Sequence, residues 1–273
     1  MRETLQKVND VEMKDQKYDK CVLLDTNVVS AIANNETNRK KFLNWWLEEL
    51  KGHHLSISIY TYYELYRGST TFPNFVDTFS KLPFMILMPI DEFIKNEINH
   101  KEKKKVIRHA PKLRITVSVL GKQEMHQFQN SNDLIKRMFK EFDAIGGLER
   151  FDAIAKEIET LRNQYDFVNQ NYNENIEEKL IPIVSRLIAS KFKHYQINKT
   201  SIIKLATYLV YFRTFKQQKT LKRNDVLDIL NFSLFDYADV LIFENSSIES
   251  AKQSKSYFSY LDKKKLVKYS DLF

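Results

Sequence analysis

Apolar residues follow two rhythms along this chain. Short unbroken apolar runs alternate with segments in which apolar residues return every three or four positions. A short run bounded by polar residues reads as a buried strand, and the slower rhythm reads as one face of a helix. The segment KCVLLDTN (20–27) therefore predicts a strand, His54–Ile59 a second and Phe84–Ile90 a third. Between them, Val28–Ala33 begins a helix, and Arg39–Lys51 forms another through Phe42, Leu43, Trp46, Leu47 and Leu50. A helix capped by Thr61 carries Tyr62, Tyr63, Glu64, Leu65 and Tyr66. Asp91–His100 is a further helix. Strand and helix in alternation predict an α/β domain with a mostly parallel sheet.

After His100 the rhythm changes. Ile115–Leu120 reads as a short strand or a loop. From Asp133 onward the pattern is helical: Leu134, Ile135, Met138, Phe139 and Phe142 share a face, and Gly146-Gly147 breaks it. Leu148, Phe151, Ile154, Ala155, Ile158 and Leu161 repeat at three- and four-residue steps, and helices follow over Ile176–Lys193 and Ser201–Phe215. Then the α/β pattern resumes, with a helix over Asp225–Phe235, a strand over Asp239–Phe243, a helix over Ser246–Ser256 and a last strand over Leu266–Tyr269. The expected organisation is a polar leader (1–19), an α/β domain split between 20–100 and 224–273, and a mainly helical insertion (101–223). Such insertions usually sit on the rim of a site.

Composition narrows the class. The chain has 273 residues, 43% of them apolar, with five Gly and five Pro. That excludes collagen-like and low-complexity chains and disfavours a loop-rich all-β fold. No apolar run approaches the ~20 residues of a membrane span, and the polar N-terminal stretch has no apolar signal region. A soluble protein with no membrane partner is expected. Cys21 is the single cysteine, which excludes a disulfide framework or a cysteine zinc site and fits a cytoplasmic location. None of the six His residues stands in a metal-ligand spacing, and no phosphate-cradling glycine loop is present.

The formal net charge is +8, and its distribution says more than its size. Lys179–Arg223 holds eleven basic residues and no acid, whereas Glu141–Glu178 holds ten acids and three bases. A second basic cluster, KEKKKVIRHAPKLR (101–114), has seven bases and one acid. Two readings stand side by side: the basic and acidic helices pair with each other, or a basic face follows a phosphate backbone. On the second, Lys216, Lys219, Lys222, Arg223, Lys103, Lys104 and Lys105 are the expected contacts.

The sharpest chemistry is acidic. Asp25 follows an apolar strand directly, and ligands of parallel α/β sheets bind beyond the carboxyl ends of the strands. Thr26 and Asn27 add short polar groups that can fix the carboxylate or cap the next helix. Glu64 is expected in the first turn of the helix after the second strand. Asp225 and Asp228, three apart, share a helix face. Asp239 precedes the VLIF strand and Glu244 follows it. Taken singly, each acid could be a helix cap. Taken together, they form a repulsive cluster of the kind that Mg²⁺ or Mn²⁺ relieves, and such a site can activate water against a phosphodiester.

In that order, the segments VLLDTNVVSAI (22–32), ISIYTYYELYRG (57–68), MPIDEFIKNEI (88–98) and NDVLDILNFSLFDYADVLIFENS (224–246) resemble the PIN-domain nucleases. The resemblance covers most of the first hundred residues and the last fifty. It implies a three-layer α/β/α fold and a Mg²⁺- or Mn²⁺-dependent endoribonuclease, of a family with many toxins held by protein antitoxins. Carried over by position, Asp25, Glu64 and Asp228 would be the first three metal-binding acids, with Asp225 competing for the third place. The fourth departs from the family pattern: Phe243 replaces the usual small hydroxyl residue, Glu244 follows it, and Asn245 stands where an Asp is usual. Glu244, Asn245 and Asp239 all remain open for that place. The resemblance implies RNA as substrate, a toxin or defence role and a protein partner. The residues themselves do not separate RNA from DNA, because both expose the same phosphates.

Overall fold

A computed structural model of the chain describes residues 20–50, 52–79, 82, 84–87, 90–102, 114–116, 147, 149–188 and 200–273. The expected leader (1–19), the helix from Asp133 to Phe142, and Lys103, Lys104 and Lys105 lie outside the described residues.

The elements in chain order are β1 (Cys21–Leu24), α1 (Thr26–Asn34), α2 (Glu36–Glu49), β2 (His54–Ser58), α3 (Ile59–Arg67), α4 (Thr71–Phe79), β3 (Phe84–Leu87) and α5 (Ile90–Glu102). Next come β4 (Arg114–Thr116), α6 (Glu149–Gln164), α7 (Glu174–Ile188) and α8 (Ser201–Tyr211), which runs into a π-helical turn at Phe212–Lys216. Last are α9 (Arg223–Ser233), β5 (Val240–Phe243), α10 (Asn245–Lys255) and β6 (Lys265–Lys268).

The sheet order is β4-β3-β2-β1-β5-β6. Five strands are parallel, and β4 joins one edge antiparallel to β3. Successive strand residues face opposite sides, so a sheet covered on both sides needs apolar residues at every position. That is the pattern of β1: Val22 and Leu24 join the core formed by α1–α4, while Cys21 and Leu23 join the core formed by α5–α10. The protein is thus an α/β fold with helices on both faces of a central parallel sheet.

The helices of the expected insertion share one continuous core with the sheet. Ile154 and Ile158 of α6, Leu180 of α7 and Leu205 of α8 are buried in the same cluster as Leu23, Leu241 and Phe243. Residues 114–116 extend the sheet as β4, the short strand that is one of the two readings of Ile115–Leu120, so the insertion is not all-helical.

Three boundaries differ in ways that matter. The helix bearing Glu64 begins at Ile59, not at Thr61, because the Ser58 hydroxyl caps it and accepts the Thr61 N–H at 3.1 Å. Thr61 therefore lies inside α3, and Glu64 sits in its second turn instead of its first. Helix α4 has no counterpart in the expected elements. Phe75 and Phe79 anchor it in the core, and Pro73 is tolerated because it lies in the first turn. The expected helix over Ser201–Phe215 is α8 plus the π turn.

Candidate active site

Along this sheet the chain order reverses between β1 and β5: β1, β2 and β3 step one way, and β5 and β6 step the other. In open parallel sheets the binding crevice lies at that switch point, beyond the carboxyl ends of the strands. Asp25 follows β1 and Glu244 follows β5, so both flank it. A cleft of about 950 Å³ opens there, and Asp25, Glu64, Asp225, Asp228 and Glu244 all line it.

Asp25 occupies the N-cap position of α1, yet its side chain makes no capping bond. Its own N–H continues the sheet ladder to the Ile242 carbonyl at 3.1 Å. The backbone is fixed by β5, and the carboxylate is left for other work. Burial, then the charges of Asp228, Glu244 and Glu64, push its pKa up to about 8, against the opposing bond from the Thr26 N–H.

Each neighbouring acid is held by a donor of its own. The Thr26 hydroxyl donates to Glu64 Oε2 at 2.6 Å. Asn27 Nδ2 donates to Glu244 Oε1 at 2.7 Å. Arg213 Nη2 lies 3.1 Å from Asp228 Oδ2. Burial raises Glu64 above the usual carboxylate range although Thr26 opposes it, and burial raises Asp228 although Arg213 opposes it. Glu244 stands at the N-cap of α10 without capping it, as Asp25 does for α1. Among the described residues no group of three or more His, Cys, Asp or Glu side chains is set up to hold a metal ion.

The alternates divide. Asp225 is committed to structure: it accepts the Lys222 N–H at 2.9 Å, Arg213 Nη1 at 3.0 Å, and Lys219. Burial works to raise its pKa, but these donors outweigh burial and lower it. Asp239 lies at the opposite end of the sheet. It precedes β5 and accepts the Cys21 N–H at 2.8 Å, at the start of β1. Asp239 is thus at the other end of the sheet from Asp25 and Glu244. Asn245 opens α10, and Asn27 serves as the donor to Glu244.

The basic residues divide too. Arg223 pairs with Asp152 of α6, Lys219 pairs with Asp225, and Lys216 Nζ donates to Asn171 Oδ1 at 3.3 Å. Lys222 is exposed at the rim of the cleft.

Sequence reasoning missed two supports. One is Arg213, which reads as part of an aromatic helix face. The other is Asn231, three residues after Asp228 on α9. Its carbonyl oxygen accepts the Ser58 hydroxyl, and its Nδ2 donates to Thr61 Oγ1 at 3.2 Å. This buried triad ties the helix bearing Asp228 to the helix bearing Glu64. The only sequence signal was an Asn inside an otherwise apolar helix face.

No family model, no curated protein and no solved structure matches this chain.

Proposed function

We propose that this protein is a metal-dependent endoribonuclease of the PIN type. The observation that carries the reading is the meeting of Asp25, Glu64, Asp228 and Glu244, drawn from four separate elements, in one cleft at the switch point of a parallel sheet. The donor set consists of hard carboxylate oxygens, which fits Mg²⁺ or Mn²⁺ and no soft metal. Asp25, Glu64 and Asp228 would hold the ion, with Glu244 assisting from the other lip. When bound, the ion supplies Lewis acidity and neutralises charge on a phosphodiester.

The chain's own residues do the rest. Thr26 and Asn27 orient Glu64 and Glu244 toward the cleft. Asp25, fixed through its backbone to β5, holds the centre of the acidic group. Lys222 on the rim offers a cation to a backbone phosphate. A toxin or host-defence role, with a protein antitoxin or defence partner, rests on the family resemblance alone.

One observation favours a second reading, a PIN-like nucleic-acid-binding module without catalysis. Arg213 already occupies one oxygen of Asp228. Incubating the purified protein with total RNA in Mg²⁺, in Mn²⁺ and in chelator separates the two readings. Cleavage in either metal, lost in chelator and in Asp25→Asn, supports the nuclease. Binding without cleavage supports the module. A parallel lane of single-stranded DNA tests the DNA-directed alternative.

A further inference from the structure

Arg213 is a buried cation bonded to two of the acids that line the cleft. Its side chain is 7% exposed, and it reaches Asp225 at 3.0 Å and Asp228 at 3.1 Å. Nη1 also meets the Asp225 carbonyl at 3.3 Å. Its position comes from the π turn after α8, where the Gln217 N–H bonds the Phe212 carbonyl at 2.8 Å. Arg162 holds the same turn from α6, donating from Nε to the Thr214 carbonyl at 2.8 Å. π turns inserted in helices recur at functional sites because they redirect a side chain. A planar guanidinium can grip two carboxylates at once, which a lysine cannot do.

Six carboxylates line the cleft: Asp25, Glu64, Asp152, Asp225, Asp228 and Glu244. Arg223 pairs with Asp152, Lys219 with Asp225, and Arg213 with both Asp225 and Asp228. Among the described residues Asp25, Glu64 and Glu244 are the lining carboxylates outside these ion pairs, and one divalent cation can be shared among the three. Arg213 is too buried to touch a substrate.

We propose that Arg213 is the built-in counter-ion of this cleft and the positioning residue for Asp228, balancing the α9 side so that one divalent cation suffices. This rests on the metal-dependent reading of the same cleft. Removing the guanidinium frees Asp228, leaves Asp225 to Lys219 and the Lys222 N–H, and removes a like charge from the neighbourhood of the incoming ion. Both changes favour cation binding.

The test counts bound Mn²⁺ by electron paramagnetic resonance of the free ion, without RNA, for the wild type, Arg213→Gln and Arg213→Lys. The wild type should bind one Mn²⁺ per chain. Arg213→Gln should bind it at least about tenfold more tightly, or take up a second ion, because Asp228 is left without its cation and is open to it. Arg213→Lys keeps the charge but grips one carboxylate, so its affinity should lie between the two. If Arg213→Gln is unfolded in chelator, Mn²⁺ should restore its circular dichroism. Two ions on the wild type, or the same count and affinity in all the folded variants, would overturn the role of Arg213 and leave the metal site standing. An Arg213→Gln that stays unfolded at every Mn²⁺ concentration, with unchanged affinity in Arg213→Lys, would do the same. No Mn²⁺ on any of the three would overturn the metal-dependent reading itself and this inference with it.

Discussion

At the scale of single residues, the pKa of Asp25 makes a prediction about stability that needs no knowledge of substrate. Its folded value is pushed up to about 8 from an ordinary 3.8, by burial first and by Asp228 next. Between those two values the folded protein keeps a proton that the unfolded chain has released. Stability should therefore fall as pH rises through that window, and level off above about 8. Asp25→Asn removes the penalty. In chelator it should be more stable than the wild type at pH 8, by at least about 1 kcal/mol, with the gap closing toward pH 4. Thermal denaturation at a series of pH values checks this, and a gap that does not vary with pH would contradict it. Saturating Mg²⁺ should reverse the order, stabilising the wild type by about 2.7 kcal/mol at a hundred times its dissociation constant and leaving Asp25→Asn unmoved. Glu244 makes a second test. It accepts Asn27 at the lip of the cleft and does not cap α10. Glu244→Gln should therefore cost little stability and lower the proposed cleavage, though less than Asp25→Asn does. Raised Mn²⁺ should partly restore it, because Mn²⁺ tolerates poorer oxygen geometry than Mg²⁺. An unchanged Mn²⁺ midpoint would remove Glu244 from the site.

At the scale of elements, the site depends on how α9 is set against α3. The Ser58–Asn231–Thr61 triad makes that junction inside the core, where a hydrogen bond left unmade is expensive. Asn231→Ala should cost about 1–3 kcal/mol, because Ser58 and Thr61 lose their partner in a dry place. Adding Ser58→Ala should cost less than the sum of the two single changes, and a double-mutant cycle measured by urea denaturation reads the coupling directly. Strict additivity would show that the junction is held by packing alone. The same junction shows where the sequence was legible. β1, β3 and β5 were readable because strands buried on both faces are nearly unbroken apolar runs. Asp25 and Glu244 were readable because they abut such runs. The start of α3 was not, because Ser58 reads equally well as the last strand residue and as a cap. Helix α4 was missed because its Pro and Asn resemble a loop. Arg213 was invisible as a site residue because a π turn, which has no local sequence rule, sets its direction.

At the scale of the whole molecule, the net charge of +8 is divided by folding into paired and unpaired cations. The pairing reading of the charge pattern holds in several places. Arg223 pairs with Asp152, Arg186 with Glu157, and Lys204 with Glu177, so acidic and basic helices do meet. Lys156 on α6 and Lys222 at the start of α9 are exposed on the rim of the acidic cleft. A cation already paired adds little to phosphate binding, since its counter-charge must first be displaced. The four residues Lys216, Lys219, Lys222 and Arg223 should thus not contribute equally to RNA affinity. Replacing Lys156 and Lys222 together by Ala should reduce the slope of log affinity against log salt by roughly 1.4, near 0.7 for each single-strand phosphate no longer neutralised. Arg223→Ala should leave that slope nearly unchanged and cost at most about 1 kcal/mol of stability, the usual worth of a partly exposed pair. Fluorescence anisotropy of a labelled single-stranded RNA bound to Asp25→Asn, between about 50 and 200 mM salt, measures both without cleavage. A slope change for Arg223→Ala as large as that for the Lys156–Lys222 pair would mean that the Asp152 bridge opens on binding. RNA would then be held by the whole basic segment and not by the rim alone.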